Sequence, residues 1–189
     1  MPLTPPGLAA ALIPALLASG NTGIAVPQFA LGVATGVCLF TQSSPATSVD
    51  AGTLGVGATA MPFLVPQPLI LTNLLAGFAA TGTVGIMMPS LALGLSVGLN
   101  VGFLQGVLTM VHPSVGLGAA VVKLVPAGAV PAMIAGFAAA AMVGPGAIKT
   151  ATGIGIGLTT LFAAYTLPAP IVGPPNIAPG AGVGVGKIV

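Results

Sequence analysis

The chain has 189 residues, of which 56% are hydrophobic and 2% are charged, whereas a typical soluble domain has about 25% charged residues. Its charges are three lysines and one aspartate, too few to build the charged surface of a soluble monomer, so most of its outside must face lipid, another protein or copies of itself. The net charge of +2 is too small to indicate a nucleic-acid partner. The single cysteine, Cys38, excludes an internal disulfide and is typical of a buried small hydrophobe.

Three apolar segments rich in alanine and leucine occur along the chain, at about 6–19, 69–82 and 128–142. Their length favours helix over strand. Each is followed by a glycine- and proline-containing turn, GIAVP, GIMMP or GPG, which ends the first helix and allows a second helix to start with proline in its first turn. The sequence therefore predicts three helical hairpins.

The second helix of each hairpin carries glycines at a spacing of four residues. These glycines are Gly32, Gly36, Gly94, Gly98, Gly102, Gly106, Gly153 and Gly157. Glycines four apart lie nearly above one another on a helix and let backbones approach closely, which must offset the roughly 1 kcal/mol that each costs against alanine. We expect the three second helices to meet along these faces around a pseudo-threefold axis. The alternative is that the glycines reflect only a composition with 29 glycines.

Glycine-alternating pieces follow the hairpins, at 49–66, 112–126 and 175–189. Valine and isoleucine alternating with glycine are compatible with a short strand or with a segment lying flat on the helices. The sequence leaves these two structures open.

The order of glycines and prolines indicates an internal repeat. Residues 18–37 align with 80–99 at an offset of 62, and residues 74–85 align with 133–144 at an offset of 59. We predict one mostly helical domain over 1–189, with three tandem helical hairpins in pseudo-threefold arrangement and short extended Gly/Val-rich segments between them. The repeats span about 1–66, 67–126 and 127–189.

No cluster of side chains indicates catalysis, a cofactor or a metal. Metal sites need several His, Cys, Asp or Glu side chains together, and this chain has one His, one Cys and one Asp, far apart in sequence. Helix capping and turn formation explain His112 and Asp50 better than chemistry does. The stretch GAGVGVGK is not a phosphate loop, because Ala181 replaces its first glycine and Ile188 replaces the required Ser or Thr. We expect no enzymatic activity.

The three lysines form a different kind of candidate. Lys123 and Lys187 follow glycine-alternating pieces, and Lys149 starts the second helix of the third hairpin. In so apolar a chain, lysines are expected at a polar rim in contact with water, headgroups or a partner's acidic side chains.

The opening stretch MPLTPPGLAAALIPALLASGNTGIAVPQ and the stretch GFLQGVLTMVHPSVGLG at 102–118 resemble the small hydrophobic, Gly/Ala/Pro-rich structural proteins of contractile-tailed phages. The resemblance implies a non-enzymatic virion protein of the tail or baseplate. Such a protein would be an apolar cap or plug at the tail tip, docked on a homotrimeric hub or spike and able to contact the host membrane. A single chain with three equivalent faces can sit on the axis of a trimer without breaking its contacts.

Two other functions fit the composition. Residues 91–111 contain no charge and are long enough to cross about 30 Å of hydrocarbon, as in a holin-like pore or small channel built from a membrane helix bundle. Against this, no Lys or Arg occurs before Lys123, so a positively charged signal region and the usual topology signal are both missing. A self-assembling coat protein, whose neighbours cover its apolar faces, is the other alternative.

Overall fold

The computed structural model describes residues 3–52, 56–61, 64–113, 117–125, 128–164, 167–172 and 180–187, with side chains given for 3–44, 64–106 and 128–163. Within these residues the protein is mostly helical. The helices are α1 (Pro5–Ala18), α2 (Val26–Ser43), α3 (Gln67–Ala80), α4 (Met88–Gln105), α5 (Ala129–Ala139) and α6 (Pro145–Ala164). The strands are β1 (Pro45–Gly52), β2 (Val56–Met61), β3 (Val107–Pro113), β4 (Leu117–Val125), β5 (Leu167–Val172) and β6 (Gly180–Lys187).

The helices follow one another in pairs, and two strands follow each pair along the chain. Each helix packs against the next helix in chain order, and α6 packs back against α1. The helical layer is therefore a closed ring of three hairpins, α1–α2, α3–α4 and α5–α6. The predicted first helices, 6–19, 69–82 and 128–142, are confirmed to within three residues at either end.

Proline starts most of these helices. It occupies the first turn of α1, α2, α3 and α4, where its missing N–H has no partner to lose and its fixed φ angle suits the helix. The turn prolines predicted from the sequence thus mark true helix starts.

The extended pieces between hairpins are strands, which resolves the alternative that the sequence left open. The six strands among the described residues pair antiparallel in the order β1-β2-β3-β4-β5-β6 and close into a barrel. The closing pair is β1 with β6, in the register that sets Pro45 opposite Lys187 and Gly52 opposite Gly180. Each of these six strands thus has a paired neighbour on both sides, which reduces the strand edge available for pairing with another chain.

The core of the helical layer is apolar and centres on three phenylalanines near the carboxyl ends of the second helices. Phe40, Phe103 and Phe162 are fully buried. The ring centroids of Phe40 and Phe103 lie 5.6 Å apart, and those of Phe103 and Phe162 lie 5.9 Å apart, both edge to face. Because β1, β3 and β5 begin a few residues later, this aromatic cluster lies at the end of the helical layer next to the barrel.

Candidate functional site

The turns within the three hairpins lie at the end of the helical layer away from the barrel. They comprise residues 19–25, 81–87 and 140–144. Each turn precedes a second helix, whereas each strand pair follows one. Since α2 and α4 have 18 residues each, the turns and the barrel are separated by about 27 Å.

The three turns share one backbone geometry. In each, an N–H donates to the carbonyl oxygen five residues earlier, the bond that closes a helix in a Schellman motif. The bonds are Asn21 to Leu16 at 3.0 Å, Thr83 to Phe78 at 2.9 Å and Met142 to Phe137 at 2.8 Å. The residue before each N–H donor has a left-handed backbone conformation, with φ of +86° at Gly20, +67° at Gly82 and +58° at Ala141.

Beyond this motif, each turn extends large apolar side chains into solvent. We call this set the hairpin-tip face: Ile24, Val84, Ile86, Met87 and Val143. Ile24 and Ile86 are 102% and 94% exposed, and Val84 and Val143 are 80% and 81% exposed. Other exposed apolar residues are less exposed than these four: Leu64 is 60% exposed, and Leu39, Leu104 and Ile156 on the flanks of helices expose less than half of their surface. A gathering of exposed aliphatic side chains at one end of a molecule is a feature of interaction surfaces.

A cavity opens between the turns. Its volume is about 320 Å³, near the lower end of the range for pockets that hold small molecules. Its walls come from the turns and the adjoining helix ends of all three hairpins: Leu16, Asn21, Phe29, Leu91, Met142 and Thr150. Asn21 and Thr150 are joined by a hydrogen bond from the Thr150 hydroxyl to Asn21 Oδ1, 3.0 Å long, which ties the first turn to α6. The cavity is thus mostly apolar with a small polar edge.

The predicted lysines are not brought together. Lys149 is exposed in the first turns of α6, and its ammonium end lies beside Gly20, where α1 has just ended. This is a favourable position for a cation, because the carbonyl groups at a helix carboxyl end carry partial negative charge. Lys123 and Lys187 lie on β4 and β6, with side chains outside the described part. Lys149 therefore belongs to the hairpin-tip end and the other two to the barrel.

The predicted glycines lie at very close helix contacts, but their partners differ from those expected. A methyl group added to Gly36 of α2 would lie 2.7 Å from Cα of Leu74 on α3. The same addition to Gly98 of α4 would lie 2.7 Å from the backbone nitrogen of Met133 on α5. The expectation that second helices meet one another along their glycines is wrong: each glycine face packs against a first helix of another hairpin.

The remaining glycines follow the same rule. We call the three contacts α2–α3, α4–α5 and α6–α1 the glycine seams. Their other predicted members lie on Phe78 (Gly32), Phe137 (Gly94), Ala129 (Gly102), Leu16 (Gly153) and Leu12 (Gly157). The prediction that Gly106 belongs to the helix is wrong. Helix α4 ends at Gln105, and Gly106 is a buried residue in extended conformation just past the helix.

The four-residue spacing did not identify the glycines that the first helices contribute to two of the seams. Gly77 of α3 packs on the backbone of Gly32 and Gly36, and Gly136 of α5 packs on the backbone of Gly94 and Gly98. The signal was available, since Gly77-Phe78 and Gly136-Phe137 repeat at the offset of 59. Each of these first helices contributes a single glycine to its seam, so no four-residue spacing marks that glycine in the sequence.

No catalytic constellation is present among the residues with described side chains, and no group of three metal-ligating side chains occurs there. Asp50 and His112 lie on β1 and β3, with side chains outside that part. Cys38 is buried in α2, and desolvation raises its pKa to about 12, so the thiol stays protonated and unreactive near neutral pH.

One helix in the described part, α4, is long and apolar enough to cross a bilayer by length and composition. Half of it is buried inside the protein, as is usual for a core helix. Comparison with known proteins gave no match to a family model, to a curated protein or to a solved structure.

Proposed function

We propose that the protein is a non-enzymatic structural protein of a virion, an apolar cap or plug at a tail tip that docks on a homotrimeric hub or spike. In this proposal the chain contains three copies of one repeat, arranged around a pseudo-threefold axis. Its three hairpins and their strand pairs present one equivalent face to each subunit of the trimer. The partner is protein rather than nucleic acid, and no cofactor takes part.

The observation that carries the proposal is the repeated turn. The same helix-closing hydrogen bond ends α1, α3 and α5, and its donors Asn21, Thr83 and Met142 are spaced by the offsets of 62 and 59 that align the sequence. The glycine seams repeat in the same order around the ring. Three similar units closed into a ring form the shape that fits on a threefold axis without favouring one subunit.

The barrel end is the docking end in this proposal. Each hairpin contributes two consecutive strands to the barrel, so the barrel offers a trimer three similar strand pairs. The hairpin-tip face then points outward, away from the trimer.

The three lysines provide the test, because Lys123 and Lys187 lie on the barrel, at the strand ends next to the helical layer, whereas Lys149 lies among the turns at the other end of the helices. Purified particles would be treated with an amine-reactive cross-linker and digested, and the chain would be quantified against each tail protein. We expect about one copy of the chain per three copies of the partner, with cross-links from Lys123 or Lys187 and none from Lys149. Absence from particles, or hundreds of copies as in a coat, would contradict the proposal.

An integral membrane helix bundle, such as a holin-like pore, is the second candidate, and α4 is the observation that favours it. The experiment that separates the two is extraction of membranes from producing cells with carbonate at high pH. A bundle stays in the pellet and enters solution only with detergent, whereas a virion protein follows the particles.

A further inference from the structure

We propose that the hairpin-tip face binds a lipid bilayer, with Ile24, Ile86 and Val143 entering the interfacial region of a membrane that contains anionic lipid. The inference rests on the proposed function for its orientation, since docking through the barrel leaves the turns free. The occupant is a lipid surface rather than a protein, for three reasons.

The first reason is shape. The apolar side chains of the hairpin-tip face stand out from the turns, with the side chains of Ile24 and Ile86 almost fully exposed. A protein interface of ordinary size has a continuous buried core and matching surfaces, whereas separate protruding aliphatic side chains need a soft apolar medium that closes around each of them. The interfacial region of a bilayer is such a medium.

The second reason is charge. Within residues 3–44, 64–106 and 128–163 no acidic side chain occurs, and the one charged side chain is the exposed Lys149. Lys149 lies beside Gly20 at the base of the first turn, the turn that also carries the protruding Ile24. A lysine behind an apolar side chain can rest among lipid headgroups while the aliphatic group goes deeper, and anionic lipid attracts it.

The third reason is the cavity between the turns. It opens at the same end, and Leu16, Phe29, Leu91 and Met142 give it an apolar lining. Exposure of this apolar lining to water is unfavourable, and the cavity of about 320 Å³ can take up the end of an acyl chain once the turns enter the bilayer.

The chain contains no tryptophan, so one introduced tryptophan reports its own surroundings. Ile24→Trp is the probe, and Ile156→Trp on the flank of α6 is its matched control. The vesicles are phosphatidylcholine with and without phosphatidylglycerol. We expect a blue shift in the emission of the Ile24→Trp chain on anionic vesicles, with quenching by brominated acyl chains, and neither effect in the control.

Substitution of three residues by serine measures how much the hairpin-tip face contributes to vesicle affinity. We expect the triple variant Ile24→Ser, Ile86→Ser, Val143→Ser to lose at least about tenfold in vesicle affinity, since each buried aliphatic side chain contributes to partitioning. The matched triple variant Leu39→Ser, Leu104→Ser, Ile156→Ser keeps the affinity. Lys149→Gln loses about fivefold on anionic vesicles and little on neutral ones.

Three results would overturn the inference. One is unchanged emission of the Ile24→Trp chain on every vesicle. Another is a blue shift only when a purified trimeric tail protein is added, which assigns the face to protein. The third is equal loss in both serine sets, which places the helix flanks in lipid and supports the membrane bundle. Failure of vesicle binding with the cross-links of Lys123 and Lys187 retained would remove this inference and leave the proposed function standing.

Discussion

Gly77 of α3 lies directly on the backbone of Gly36 in α2: a methyl group added to Gly77 would come within 2.6 Å of the Gly36 backbone nitrogen. Two helices can approach this closely only where neither carries a side chain at the crossing. The seam therefore depends on the absence of a single carbon atom on each side, and this makes it testable with the smallest possible substitution.

Gly77→Ala and Gly136→Ala are each expected to lower the free energy of unfolding by about 1–3 kcal/mol, because rigid backbone atoms oppose the new methyl group and overpacking strains the seam. The matched control is Gly146→Ala at the start of α6, where nothing lies within 4 Å of the added atom. The control should leave stability unchanged or raise it by less than about 1 kcal/mol through helix propensity. Urea denaturation of the three variants measures the difference. Equal midpoints would mean that the seams are not tight.

Ala141 is the next target, since it is the one non-glycine residue with positive φ in the described part of the chain. An L side chain in this conformation costs about 1–2 kcal/mol, and glycine adopts it without strain but loses more entropy on folding. Ala141→Gly is expected to stabilise the protein by about 0.5–1 kcal/mol net.

Gly82→Ala is the reciprocal change, because Gly82 occupies the corresponding position of the second turn with φ of +67°. It should destabilise the protein by a similar amount. Thermal unfolding of both variants measures the shifts. Shifts of the same sign would show that the two turns differ in conformation.

Phe103 contacts both other members of the aromatic cluster and is fully buried. Phe103→Ala is expected to cost about 3–5 kcal/mol, since it removes a large buried ring and leaves a cavity at the junction of the three second helices. Phe29 is the control: it is half-buried at the hairpin-tip end and stacks on Phe78 with centroids 5.8 Å apart. Phe29→Ala should cost clearly less, and a larger loss in that variant would place the main core at the other end.

The thiol of Cys38 is expected to make the free energy of unfolding depend on pH in the alkaline range. Burial raises the pKa of its thiol from 9.0 to about 12, so the folded protein keeps the proton over a range in which the unfolded chain releases it. The thiol contribution to stability is complete below pH 9 and declines as pH rises from 9 towards 12. Unfolding free energies of the wild type and of Cys38→Ala, compared across this range, isolate the effect.

Alkylation gives an independent check on the same thiol. Iodoacetamide should react with Cys38 slowly at pH 8 in the native protein and rapidly in denaturant. Fast reaction in the native protein, at the rate of a free thiol, would contradict the burial of α2 at this position.

The helices were largely predictable, because long apolar segments bounded by glycine and proline have few other solutions. The strands were ambiguous for a physical reason. Alternating valine and glycine gives an extended chain its period, but pairing partners come from segments distant in sequence, so nothing local separates β1 from a strip lying on the helices. The end of α4 was misplaced because Gly106 continues the spacing of Gly98 and Gly102 without continuing the helix.

The glycine pattern shows which part of the helix packing the sequence predicts and which part it does not. A four-residue spacing establishes which face of α4 comes close to a neighbour, but it contains no information on which neighbour that is. Met133 is an ordinary apolar residue in the sequence, and only the packing of α5 on α4 brings it to Gly98. The hairpin-tip face had a signal that overall composition concealed: Ile24 and Ile86 stand within turns, where polar residues are usual.

The seam between α6 and α1 joins the two ends of the helical sequence, with Gly153 set on Leu16. Contacts of such high contact order form late and slowly, since most of the chain must be in place before they can form. Until then, α1 of one molecule and α6 of another offer each other the same complementary surfaces. Domain-swapped dimers are therefore the natural misfolding product of this ring, favoured by concentration during refolding.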